Sequence, residues 1–167
     1  STGSIGRQAL EVIKSHPEKF KVKFLAVKNN IELLIKQCIE YKPKYVYIEN
    51  ISNYKKFKNQ FHKIKVLTSE EGLKEICSLN NVDLVLNAIS GYNGLIPTLD
   101  VIKSGTNIAL ANKESIVQAG HIIKDLAIQN NVEILPVDSE HSALWQCLIG
   151  EKMKNVKKLI LTGSGGP

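Results

Sequence analysis

Short apolar runs bounded by turn residues alternate along this chain with stretches whose apolar positions recur every three or four residues. The first pattern suits strands, and the second suits helices with one buried face. After the opening glycines, Ala9, Leu10, Val12 and Ile13 share one helix face that ends near His16-Pro17. A strand is expected over 22–27, then a helix over 31–41 with Leu34, Ile35, Cys38 and Ile39 inward. Short strands follow at 45–48 and 64–67, and a helix with Ser69 as N-cap runs through Cys77. Residues 82–86 are continuously apolar, as in a strand buried on both faces. A helix over 95–103 tolerates Pro97 in its first turn. Then come a strand at 108–110, a helix over 114–129 and a strand at 132–136. A short helix over 142–148 and a strand at 156–161 complete the pattern. Such alternation predicts an α/β fold with a Rossmann-like parallel sheet. One such domain is expected over 1–137, its first strand missing, with a second region starting at 138 and running to 167.

Composition narrows the function classes. A chain of 167 residues with 43% hydrophobic and 23% charged positions can close one sizeable core and is not disordered in character. The net charge of +6 comes almost wholly from lysine, Arg7 being the only arginine, and 6% of residues are aromatic. Nucleic-acid surfaces favour arginine with interleaved aromatics, whereas these lysines read as scattered. An anionic small molecule is therefore the expected partner, not nucleic acid. Cys38, Cys77 and Cys147 form no CxxC pair and sit in apolar runs, so buried, reduced thiols are expected. No apolar run reaches the ~18 residues of a membrane span, and no secretory signal opens the chain. These features suggest a reducing compartment and a chain that is not secreted. The chain opens inside one glycine-rich turn and stops inside another, which reads as a fragment.

Four blocks carry candidate chemistry. In Ser1-Thr2-Gly3-Ser4-Ile5-Gly6, Gly3 permits close approach of a pyrophosphate and Gly6 permits close helix–strand packing. The helix that follows offers free N–H groups and a positive dipole end. The next strand ends in Lys28-Asn29-Asn30 rather than the carboxylate that usually binds the ribose of NADH. A cation and amides accept a 2′-phosphate, which favours NADPH. Asn112-Lys113-Glu114-Ser115 follows a strand, at the edge where open α/β sheets bind ligands. A plain helix cap at Asn112 would account for part of that block, but not for Lys113.

Asp138-Ser139-Glu140-His141 also follows a strand. Were this segment extended, both carboxylates would project to one side, and a cation would relieve their repulsion. Oxygen donors without thiolates suit Mg²⁺ or Mn²⁺. His141 reads as a neighbour that orients those ligands rather than as a third ligand. A helix start capped by Asp138 or Ser139 is compatible with the same block. Last, Thr162-Gly163-Ser164-Gly165-Gly166-Pro167 could form an anion-binding nest or a plain loop.

Taken together, STGSIG, GLIPTLDVIKSG (94–105), LANKES (110–115), PVDSEHSALWQCL (136–148) and TGSGGP (162–167) resemble the signature segments of the 1-deoxy-D-xylulose 5-phosphate reductoisomerase family. The resemblance spans essentially the whole chain. It implies an NADPH-binding Rossmann-like domain followed by the start of an α+β catalytic domain. It also implies rearrangement of 1-deoxy-D-xylulose 5-phosphate and reduction by NADPH to 2-C-methyl-D-erythritol 4-phosphate, on the non-mevalonate route to isoprenoids. By resemblance, Thr2, Gly3, Ser4 and Ile5 would hold the pyrophosphate. Lys28, Asn29 and Asn30 would meet the adenosine ribose and its phosphate, although this stretch departs from the family's usual Gly-basic-Asn pattern. Asn112 and Glu114 would line the nicotinamide side, and Lys113 would act on the substrate.

Asp138 and Glu140 would bind the divalent metal, with Ser139, Glu140 and Ser164 touching the phosphorylated sugar. A cation there would stabilise enolate-like charge during the rearrangement. The full-length protein would be a homodimer, and the fragment alone would be inactive. Two rivals are an acyl-phosphate-reducing semialdehyde dehydrogenase and a non-catalytic NADP-sensing Rossmann module. The first needs an activated cysteine in a polar setting, and the second has no use for Lys113 beside Asp138 and Glu140.

Overall fold

A computed structural model describes residues 1–160. The order is α1 (Ser4–Ser15), β1 (Phe24–Val27), α2 (Ile31–Tyr41), β2 (Tyr45–Ile48), α3 (Tyr54–Lys58), β3 (Lys65–Leu67) and α4 (Ser69–Cys77). Then follow β4 (Leu84–Asn87), α5 (Leu95–Lys103), β5 (Asn107–Leu110), α6 (Lys113–Gln129), β6 (Ile134–Pro136) and α7 (Ser139–Leu148). Short 3₁₀ turns precede α3 and α5, at Ile51–Asn53 and Gly91–Gly94. The strands form two parallel sheets, in the orders β1-β2-β3 and β4-β5-β6. This is the expected α/β alternation.

Local chemistry explains the clearest elements. Asn30 caps α2 by accepting a 3.1 Å hydrogen bond from the Leu33 N–H, and Lys42 ends the helix in the left-handed region just before Pro43. In β2, at the centre of its sheet, Val46 and Ile48 are fully buried. Two hydrophobic clusters result. The first gathers Leu34, Val46, Ile48 and Phe57 under α2 and α3. The second joins Tyr47 and Leu67 to Val85, Val101, Ile108 and Ile123, so it links the two sheets.

Several expectations change. The segment 51–58 folds as a 3₁₀ turn and α3, because Phe57 is buried and stacks on Phe61 with ring centroids 4.8 Å apart. Thr68, not Ser69, is the cap residue of α4. Ile39 is 62% exposed on α2 and Val12 is 55% exposed on α1, outside the buried stripes. Cys147 is exposed, unlike Cys38 and Cys77. No strand forms over 156–160: a strand needs a hydrogen-bonded neighbour, and none of the described strands lies beside this segment. The described part of 138–160 therefore holds α7 and a short 3₁₀ turn, without the strand expected at the start of an α+β region. The lysines are also less scattered than they read in sequence. The Lys44 N–H donates to the Lys23 carbonyl (3.0 Å) and the Lys65 N–H to the Lys44 carbonyl (3.1 Å), so lysines meet at the strand starts of the first sheet.

Candidate functional site

The candidate residues gather at helix starts and at the C-terminal ends of strands. At the N-terminus of α1, Gly3 is the cap residue and makes no side-chain cap bond, which leaves the first amides of α1 free for an anion. A Cβ on Gly3 would meet nothing within 4 Å, whereas one on Gly6 would lie 2.8 Å from the Ser1 backbone. Gly6 therefore lets the helix pass close under the preceding chain, and the space before Gly3 stays open. Ser4 and Ile5 begin α1 itself, with Thr2 just before it. Gln37, which sequence reasoning missed, is buried on α2 and anchors this turn. Its Nε2 donates to the Ser1 carbonyl (3.0 Å), and its Oε1 accepts from the Ser1 hydroxyl (2.7 Å). A glutamine on an otherwise apolar buried stripe was the available signal.

At the end of β1, the Lys28 Nζ lies 3.1 Å from the Glu49 carboxylate at the end of β2. Asn29 is held by neighbours: its Oδ1 accepts from Asn50 Nδ2 (3.3 Å) and its carbonyl from Asn53 Nδ2 (3.2 Å). Asn30 is committed to capping α2. Glu49 and Asn50 were not singled out from sequence, because only the pairing of β1 with β2 brings them here.

At the end of β5, Asn112 is 2% exposed and its amide is fully engaged. Nδ2 donates to the carbonyls of Ile89 (2.6 Å) and Gly91 (2.9 Å). Oδ1 accepts from the Ser115 N–H (2.8 Å) and the Ser115 hydroxyl. The Asn112 side chain thus clamps the β4–α5 loop to the start of α6 and has no hydrogen-bonding capacity left for a ligand. Asn87 and Thr98 hold the same loop from its other end, with Asn87 Nδ2 2.9 Å from the Gly94 carbonyl and 2.8 Å from Thr98 Oγ1. This clamp presents Lys113 and Glu114, both exposed, in the first turn of α6.

The strand pairing of β5 with β6, continued by the Val137 N–H donating to the Leu110 carbonyl (3.0 Å), delivers Asp138 beside Lys113. Lys113 Nζ lies 3.3 Å from Asp138 Oδ2, and His141 Nδ1 lies 3.1 Å from Asp138 Oδ1. The Asp138 side chain is only 12% exposed. Burial works to raise its carboxyl, but contact with Glu140 and hydrogen bonds from His141 and Lys113 outweigh it and bring it from 3.8 down to about 2. The same carboxylates, Asp138 first, hold the Lys113 ammonium above its ordinary value.

The segment is not extended. Asp138 is the cap residue of α7, and Ser139, Glu140 and His141 lie in its first turn. The Asp138 carboxylate makes no cap bond and turns to Lys113 and His141 instead. The Ser139 hydroxyl donates to Glu140 Oε2 at 2.8 Å. Among the described residues, no three His, Cys, Asp or Glu side chains come together as a complete metal set. Asp138 and Glu140 offer oxygen donors with no sulfur beside them, a pair that fits a hard divalent cation. Ser164 and the nest around it lie outside the described residues. No helix among the described residues is long and apolar enough to cross a membrane.

The family profile described as 1-deoxy-D-xylulose 5-phosphate reductoisomerase matches residues 1–120. The chain belongs to this family. The profile of the family's C-terminal domain matches 134–167. A curated reductoisomerase of Caldanaerobacter subterraneus subsp. tengcongensis is 49% identical over 168 residues, covering 100% of this chain and 44% of that protein. One from Chlorobaculum tepidum is 42% identical over 169 residues, with the same coverage. The chain thus spans less than half the length of these relatives.

Among solved structures, a DOX-P reductoisomerase in complex with NADPH, fosmidomycin and magnesium superposes with a TM-score of 0.83 at 36% identity, covering 87% of this chain and 36% of that one. The Zymomonas mobilis enzyme in complex with NADPH gives 0.81 at 33% identity, covering 87% and 39%. The Rossmann-like character of the parallel sheets follows from these two family structures. Both of these family structures are complexes with NADPH, and the first also contains magnesium.

Proposed function

We propose that the complete gene product carrying this chain converts 1-deoxy-D-xylulose 5-phosphate to 2-C-methyl-D-erythritol 4-phosphate, using NADPH and Mg²⁺ or Mn²⁺. The observation that carries this reading is the Lys113–Asp138 pair, held at 3.3 Å by adjacent strand ends in a member of the reductoisomerase family. Residues 1–137 would form the nucleotide domain, and 138–167 would begin the catalytic one.

Thr2, Gly3, Ser4 and Ile5 would receive the pyrophosphate on the open N-terminus of α1. Lys28, Asn29 and Asn30 border the adenosine side, where Lys28 supplies the cation for a 2′-phosphate. Asn112 serves the cofactor side by holding the loop and the start of α6 in place, and Glu114 lies exposed beside it.

Asp138 and Glu140 would hold the cation. When bound, it supplies positive charge that stabilises oxyanion character in the substrate. Lys113 is a second, fixed positive centre, and its raised pKa keeps it protonated at neutral pH. His141 orients the Asp138 carboxylate through Oδ1 and leaves Oδ2 facing Lys113. Ser139 and Glu140, in the first turn of α7, would meet the phosphorylated sugar, together with Ser164.

The test follows NADPH oxidation by the complete gene product with 1-deoxy-D-xylulose 5-phosphate, with and without Mg²⁺, beside Asp138→Asn. Metal-dependent oxidation is expected in the wild type, with a loss of roughly a hundredfold or more in the variant, the scale of removing a charged transition-state stabiliser. A folded, NADPH-binding wild type that oxidises nothing would refute the assignment and bring forward a non-catalytic NADP sensor.

A further inference from the structure

The adenosine end of the nucleotide site holds a carboxylate that the β1 sequence lacks. Dinucleotide folds that prefer NADH usually place an acid at the end of the strand corresponding to β1, where it accepts the ribose hydroxyls. Here that strand ends in Lys28, and the acid arrives from the neighbouring strand as Glu49. The register of β1 and β2 continues past both strand ends. The Glu49 N–H donates to the Val27 carbonyl (3.0 Å), and the Asn50 N–H donates to the Lys28 carbonyl (3.2 Å). Lys28 and Glu49 are therefore fixed neighbours, with Nζ and Oε1 3.1 Å apart.

We propose that Glu49 is a selectivity residue, which tempers the attraction of Lys28 for a 2′-phosphate so that the pair sets the preference for NADPH over NADH. The inference rests on the NADPH reading given above. Both side chains are about half exposed, so their ion pair is weak and yields readily to a phosphate. A phosphate that engages Lys28 comes to lie beside the Glu49 carboxylate, and like charges at that separation repel through partly solvated surroundings. Glu49 acts against the phosphate in two ways: it repels the dianion directly, and it competes for the Lys28 ammonium. Neither effect touches NADH, whose ribose carries a neutral hydroxyl at this position. The ribose-binding role of an acid is also unavailable to Glu49 while it holds Lys28. Asn29, the other polar group at this edge, is already tied to Asn50 and Asn53.

The experiment measures equilibrium affinities of the complete gene product for NADPH and NADH by nucleotide fluorescence, at low salt and at high salt. Glu49→Gln is expected to tighten NADPH about fivefold and to leave NADH within about twofold, since it removes one partly screened charge. The gain should shrink in high salt. Lys28→Gln is expected to weaken NADPH about tenfold and to leave NADH bound at least as tightly, since it also frees Glu49 for the ribose hydroxyls. An unchanged unfolding midpoint is the control that each variant is folded. Glu49→Gln that leaves NADPH affinity as it was, or tightens both nucleotides equally, overturns the proposal. Weakened NADH binding in that variant overturns it too, by making Glu49 a ribose ligand. A wild type that binds neither nucleotide refutes the NADPH reading itself, and this inference with it.

Discussion

Gly94 offers the sharpest test of how the site is held. Its backbone lies in the right-handed region, φ −77° and ψ −17°, so an alanine there suffers no backbone strain. The added Cβ would instead lie 2.7 Å from Asn112 Cγ and Nδ2 and 2.9 Å from the Ile89 carbonyl oxygen. Asn112 cannot step aside freely, because its amide holds Ile89, Gly91 and Ser115 together. Overpacking of this kind costs about 1–3 kcal/mol. Displacing Asn112 forfeits a helix cap worth about 1 kcal/mol and two buried hydrogen bonds of about 1 kcal/mol each. The two routes are alternatives and the cheaper one prevails, so Gly94→Ala should destabilise by about 1–3 kcal/mol, or roughly 2–12 °C in the unfolding midpoint for a domain of this size. Calorimetry of Gly94→Ala, Asn112→Ala and the double variant decides the matter. If the damage runs through Asn112, the double variant costs at least about 1 kcal/mol less than the two single variants combined. Costs that add to within about 0.5 kcal/mol, or a Gly94→Ala midpoint equal to wild type, refute the clamp.

Phe57→Ala, at a fully buried position stacked on Phe61, should cost about 3–5 kcal/mol in a urea denaturation series. Burial pushes the Cys38 and Cys77 thiols from 9.0 up to about 12, the second with help from Asp100, while Cys147 is exposed. Both thiols therefore stay neutral until the pH rises toward about 12, and iodoacetamide at pH 8 should label the exposed Cys147 well ahead of the two buried thiols, read by mass spectrometry. Equal labelling of the three would refute the burial assignment. The 167-residue chain alone should show no metal-dependent NADPH oxidation, because Asp138 and Glu140 make only part of a metal set among its described residues; measurable turnover would refute this.

Much of the fold was legible because short-range patterns decide it. The apolar run Tyr45–Ile48 becomes a central strand, and Asn30 and Pro43 bracket α2. α3 was missed because its sequence YKKFK carries one buried side chain, Phe57, too few to show a period. The start of α7 was placed three residues late because Asp138 and Glu140 were read for their charge. The helix start capped by Asp138 or Ser139, kept open beside that reading, is the one that forms, with Asp138 as the cap residue. The strand expected at 156–161 had the right composition, but 156–160 have no partner strand among the described residues, and composition alone cannot supply a ladder.

The chemistry was legible block by block, but the assembly was not. Alternation of strands and helices says that Lys113 and Asp138 each follow a strand. It does not say that those strands are adjacent. Adjacency comes from the pairing of Leu110 with Pro136 and from the Val137–Leu110 hydrogen bond. The pairing of β1 with β2 does the same for Lys28 and Glu49, and there it adds a residue of opposite charge to a site that read as purely cationic. Both pairs meet because parallel strands end side by side, so residues just past the strand ends become neighbours whatever their separation along the chain. Asp138 shows what such a position does to a side chain. It stands where a helix would use its carboxylate as a cap, yet that carboxylate is drawn to the cation on the next strand. Both the contact and the cap it forgoes involve the ionised carboxylate, but only the first joins two opposite full charges, and the cap is the interaction left unmade.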